Sequence, residues 1–163
     1  MRSTIKESAM AAAAAKLRLS RPLMLLLLLF LVAFAVRAAF PDISYFFWDE
    51  TIYLLHGGLF SGHNAGYSEL FQRPPLLPLL LSPFAGLASY ELVSRLLVAF
   101  LNSLVVFPVY CLTKSVFSSG RKPAAIAAAL IAFLPIHIIN SRWVMTDALG
   151  AMLAFSAVAA CLI

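Results

Sequence analysis

Charge is scarce in this sequence. Only 12% of the 163 residues are Asp, Glu, Lys or Arg, about half the share found in soluble domains. Hydrophobic residues make up 63%, and so short a chain has no interior large enough to hide that excess from water. A conventional water-soluble globule is excluded, and an integral membrane protein is implied. Cysteine is scarce as well: Cys111 and Cys161 both fall inside apolar runs, which argues against a disulfide framework or a zinc knuckle. The three histidines, His56, His63 and His137, show no metal-ligand spacing. No internal repeat of the kind that builds transporter halves is visible. The net charge of +5 would suit nucleic acid if the cations formed a surface patch. They flank the apolar runs instead, as topology signals do, so membrane lipids are expected as partners and nucleic acid is not.

What is present is a series of apolar runs. Residues 1–21 are basic and are expected to form a cytoplasmic N-terminus ahead of a membrane domain covering 22–163. The run "PLMLLLLLFLVAFAVRAAF", 22–40, can span a hydrocarbon core that takes about 20 residues of helix, with Arg37 snorkelling from its end. A signal peptide shows the same local pattern, but the apolar runs downstream need no separate signal and favour a span. Residues 41–91 form an external loop, polar and aromatic in mixture, with glycines at 57, 58, 62 and 66. Within it the run at 75–88 holds Pro78 and Pro83. Its apolar core would reach only about 20 Å as a helix, short of the roughly 30 Å needed to cross. It is expected to lie at the outer interface as a juxtamembrane helix. Spans at 92–113, 123–140 and 148–163 complete the chain. With 75–88 not crossing, Lys114, Arg121 and Lys122 share the side of the basic N-terminus, as the positive-inside rule requires. Asp42, Asp49, Glu50, Glu69, Glu91 and Asp147 then collect outside. The expectation is an all-α, multi-pass protein of about four transmembrane helices, placed in the plasma membrane.

That topology brings Asp49, Glu50, Arg73, Arg95, Arg142 and Asp147 to one membrane face. Ionisable groups at membrane depth are costly and by default mark a functional site. Each also has a plain reading. Arg95 and Arg142 could anchor to lipid phosphates, while Asp147 could cap the fourth span and Asp49 a helix starting near Thr51. The aromatics Tyr45, Phe46, Phe47, Trp48 and Tyr53 suit an interfacial belt, with sugar stacking a secondary role.

The stretches "WDETIYLLHGG", "NAGYSELFQRPPLLPLLLSPF", "SRLL" and "SRWVMTDAL", in that order, give the chain a resemblance. It resembles the N-terminal third of the GT-C glycosyltransferases that use polyprenyl-phosphate sugars. Within them it is most similar to the branch of dolichyl-phosphate-mannose–protein mannosyltransferases and bacterial aminoarabinose transferases. The resemblance implies an inverting hexosyl- or pentosyltransferase. Such an enzyme moves a sugar from a polyprenyl-phosphate donor to a hydroxyl of a glycan, lipid or protein acceptor at the external face. Asp49 would be the base, and Glu50 would position it or bind acceptor. Arg73 stands before "PPL", where the family usually has lysine or histidine, and would hold the lipid phosphate. Arg95 and Arg142 are weaker candidates for the same group, and Asp147 and Tyr53 complete the expected substrate-binding set. One branch holds a divalent metal with a glutamate where this sequence has Gln72, a poor ligand, so a metal is left open. Family members are several times longer, and the resemblance therefore implies an N-terminal fragment, inactive by itself. Two readings of other classes remain: a small multi-span transporter or channel subunit whose acids and arginines line a pathway, and a non-catalytic membrane scaffold.

Overall fold

The computed structural model describes residues 21–39, 48–63, 74–117, 120–141 and 143–162. Among these residues every regular element is helical. The order is α1 (Arg21–Ala38), α2 (Trp48–Phe60), α3 (Leu76–Leu81), a 3₁₀ turn (Ser82–Phe84), α4 (Tyr90–Ser103), α5 (Val106–Val116), α6 (Arg121–Phe133), α7 (Pro135–Asn140) and α8 (Thr146–Leu162). The expected all-α class is therefore present. The basic residues 1–20, the loop parts 40–47 and 64–73, and Arg142 lie outside the described residues.

Prolines decide where these helices break. Pro108 has no N–H to give the carbonyl of Leu104. That oxygen accepts instead from the Phe107 N–H at 3.1 Å, and the chain tightens into a turn at Leu104–Val105 between α4 and α5. The helical path nevertheless continues from Tyr90 to Val116, 27 residues that are long and apolar enough to cross a membrane. Pro22–Ala38 and Leu149–Leu162 are apolar but shorter. A second break sits at Leu134, whose ψ of 121° is extended because the following Pro135 disfavours a helical residue before it. Pro135 then opens α7, a position where its missing N–H costs nothing. The run 123–140, expected as one span, is thus a helix of 13 residues and a helix of six.

The run 75–88 is likewise shorter than a single helix. Pro83 cannot donate to the carbonyl of Leu79, which accepts from the Ser82 hydroxyl at 2.9 Å. Regular α-helix stops at Leu81 and the 3₁₀ turn follows. The loop reading of Gly57 and Gly58 needs a larger correction. Both are buried inside α2, a full helix that packs on α3. An added Cβ on Gly57 would collide with the hydroxyl of Tyr90 and press on Leu81. The glycine is a close-approach site, not a turn.

Two apolar clusters hold the helices together. One joins Tyr53, Leu54, Leu77, Leu81, Val98, Val144 and Leu149, tying α2, α3, α4 and α8. The other is built on Ala124, Ala128 and Ala132, one small residue per turn of α6, with Leu26 and Ala33 of α1 and Val106 and Tyr110 of α5 against them. Small residues at i, i+4 and i+8 let helix backbones approach closely. Phe30 meets Phe100 and Phe107, and Phe34 meets Phe100, so α1 runs antiparallel to the α4–α5 path.

Polar groups are buried on one helix while large apolar side chains are exposed on others. The buried face of α4 carries Ser94, Arg95, Asn102 and Ser103 among Val98 and Ala99. Large apolar side chains point outward, Leu28 at 58% exposure and Leu130 at 66% among them. Arg37 also departs from expectation. It is buried and donates from Nη1 to the Ala33 carbonyl at 3.0 Å, turned back along its own helix rather than snorkelling outward.

Candidate active site at the start of the acid-pair helix

Helix α2 begins with Trp48, Asp49 and Glu50. Acids in a first turn suit the positive end of a helix. Adjacent residues point about 100° apart around the axis, so the two carboxylates cannot share one environment. Glu50 faces inward and is fully buried. Asp49 lies on the flank, half-buried, beside the exposed indole of Trp48.

Glu50 is held by residues distant in sequence. Arg95 of α4 donates from Nε to Oε1 at 2.8 Å and from Nη2 to Oε2 at 3.0 Å. The backbone N–H of Val144 donates to Oε1 at 3.2 Å. This two-pronged guanidinium–carboxylate arrangement is among the strongest polar contacts a protein makes. It is also what makes burial tolerable, because either charge left alone there would be costly. The loop before α8 is therefore fixed to α2 and α4 at one point. A second tie lies one turn further along α2, where the Tyr53 hydroxyl and Thr146 Oγ1 are 2.8 Å apart. A third joins the start of α4 to α2: the Tyr90 hydroxyl donates to the Leu54 carbonyl at 3.1 Å, passing over Gly57.

This geometry sorts the expected site residues. Glu50 and Arg95 come together, but with each other. Arg95 is buried, with Nε and Nη2 committed to Glu50, so the expectation that it meets a phosphate at the headgroup level gives way to a role in holding α2. Glu50, expected either to position Asp49 or to bind acceptor, is held by Arg95 and the Val144 N–H. Tyr53 is a core residue rather than a stacking surface, being 4% exposed. Asp147 is exposed in the first turn of α8, next to the anchored Thr146. Asp49 and Asp147 thus open two helices that the Glu50–Val144 and Tyr53–Thr146 contacts bind together. Arg73 and Arg142 lie outside the described residues.

Among the described residues, no three His, Cys, Asp or Glu side chains gather as a metal ion would require. The Glu50–Arg95 pairing was the feature least visible beforehand. An acid and an arginine 45 positions apart were each flagged as costly in an apolar setting. That shared cost was the one signal that they meet.

Compared with known proteins, the chain matches no family model, no curated sequence and no solved structure.

Proposed function

We propose that this chain carries the catalytic base of a membrane glycosyltransferase that takes its sugar from a polyprenyl-phosphate donor. The observation that carries the proposal is the convergence on α2. The stretches behind the GT-C resemblance supply Glu50, Leu77, Arg95 and Val144, and these meet on the acid-bearing helix. Residues so far apart in sequence would not need a common centre if their order were accidental.

The exposed large apolar side chains and the buried polar groups of α4 support a multi-pass membrane setting for the bundle. In water its outward Leu, Ile and Phe side chains would form a large apolar patch, whereas in hydrocarbon they face a like solvent and the polar groups of α4 turn inward.

Chemically, Asp49 takes the proton from the acceptor hydroxyl. The acceptor oxygen then forms its bond to the anomeric carbon from the face opposite the leaving group. The bond from that carbon to the phosphate oxygen breaks with its electron pair staying on the phosphate, and the configuration inverts. Positioning and charge stabilisation supply the rate: Glu50, gripped by Arg95, fixes the register of α2 so that Asp49 stays at the flank, and Arg73 receives the growing phosphate charge. Asp147 lines the acceptor side. The sugar is a hexose or aminopentose, and the site opens to the external face.

Photocrosslinking tests the donor class. A polyprenyl phosphate bearing a photoreactive group is expected to label the segments around α2 and the start of α3. Unlabelled polyprenyl phosphate should compete and phosphatidylcholine should not. Labelling spread evenly over all helices, or displaced equally by both lipids, would point to a transporter subunit or scaffold instead.

A further inference from the structure

At the end of the bundle opposite Asp49, a groove of about 230 Å³ opens between α1, α5 and α6. It is lined by Pro22 and Leu25 of α1, Tyr110 of α5, and Arg121, Lys122 and Ala125 of α6. Both cations are exposed, and neither has an acidic partner among the described residues. Every described acid, Asp49, Glu50, Glu91 and Asp147, belongs to the other end. The first turn of α6 begins at Arg121, so its free N–H groups add positive potential at the same place.

We propose that this groove is a binding site for an anionic phospholipid of the inner leaflet, distinct from the donor site. The inference rests on the membrane placement proposed above, though not on glycosyl transfer. A lipid fits the groove's two chemistries together: its phosphate sits between Arg121 and Lys122, and one acyl chain lies along Leu25 and Ala125. A free phosphate would use the cations and leave the apolar walls unmatched. A segment of protein would need an acid followed at once by an apolar run. Positive residues at the cytoplasmic ends of spans attract anionic lipid in general. The groove converts that diffuse attraction into a defined seat that links α1 to the α5–α6 pair.

Native mass spectrometry of the detergent-solubilised chain, offered equal phosphatidylglycerol and phosphatidylcholine, tests the site. The expected result is retained phosphatidylglycerol in preference to phosphatidylcholine. Lys122→Gln or Arg121→Gln should each weaken that retention roughly fivefold, and the two together by more. Ala125→Trp should displace the lipid by filling the groove while leaving both charges in place. Lys114→Gln, which removes an exposed cation at the same end but outside the groove, should leave retention unchanged. Equal losses from Lys114→Gln and Lys122→Gln, or full retention in Ala125→Trp, would overturn the seat in favour of diffuse attraction. Displacement by millimolar inorganic phosphate would overturn the lipid as occupant. Absence of adducts with either lipid would mean that the groove is filled by protein, which also overturns it. Flotation with vesicles separates the two levels. A chain that inserts yet shows no preference refutes the groove alone, and one that never inserts refutes the membrane reading as well.

Discussion

Asp49 and Glu50 are neighbours with opposite roles, and the difference is one of direction. Glu50 points into a buried site closed by Arg95 and Val144, while Asp49 keeps a half-exposed flank. Glu50→Gln is expected to leave the Arg95 charge buried without its counterion, lowering stability by about 3–5 kcal/mol. Arg95→Met should do similar damage by stranding the carboxylate. The double variant Glu50→Leu/Arg95→Met removes both charges and is expected to be more stable than either single one. Unfolding in mild detergent, followed by circular dichroism, measures all three. If the double variant is no better than the singles, the pair is not the coupled unit its geometry implies. The adjacent acids and Arg95 are conspicuous in the sequence. Which acid turns inward is not, because that depends on where α2 starts: a helix starting near Thr51 leaves both acids ahead of it, whereas α2 starts at Trp48.

Helix α2 shows why that element was hidden. Glycines are poor helix formers, costing about 1 kcal/mol each relative to alanine, so Gly57 and Gly58 argue locally against a helix. Tertiary contact overrides them: the Tyr90 hydroxyl can reach the Leu54 carbonyl only across a residue with no side chain. Gly57→Ala is therefore expected to destabilise by about 1–3 kcal/mol, as overpacking does, although alanine favours the helix. Tyr90→Phe alone should lose about 1 kcal/mol for the hydrogen bond. The combined Gly57→Ala/Tyr90→Phe variant should recover part of the alanine penalty, with Leu81 still pressing on the new methyl group. Additive losses in a thermal unfolding series would contradict the close-approach account. The proline breaks were more legible. Pro83, Pro108 and Pro135 each lie at or within four residues of an interruption; the span expected at 92–113 agrees with the continuous Tyr90–Val116 path, whereas the run 123–140 gives no sign that α6 and α7 part at Leu134.

Over the described residues, the arrangement is a helical bundle with two apolar clusters inside it, several buried polar groups on α4 and many exposed large apolar side chains. The composition predicts such an apolar surface. The sorting of α4 into a polar inner face and an apolar outer one was not read, although Ser94, Arg95, Asn102 and Ser103 recur at the spacing of a single helical face. The proposed four-span topology predicts Phe117 near the cytoplasmic surface and His63 near the external one. Single cysteines at these positions, in a Cys111→Ala/Cys161→Ala background, are expected to react with impermeant maleimide from opposite sides of sealed vesicles. Reaction of both from one side would refute the four-span topology. The site itself is tested most directly through Asp49. In membranes from cells expressing the gene that encodes this chain, sugar transfer from polyprenyl-phosphate donors should be measured for the wild type and for Asp49→Asn. The substitution keeps the shape of the side chain and removes its proton acceptor, so the rate should fall about 10²–10⁴-fold. The loss of stability should be far smaller than for Glu50→Gln, about 0.3–1 kcal/mol, as for an acid at the positive end of a helix. Where the wild type transfers sugar, transfer that continues at the wild-type rate in Asp49→Asn would contradict the account.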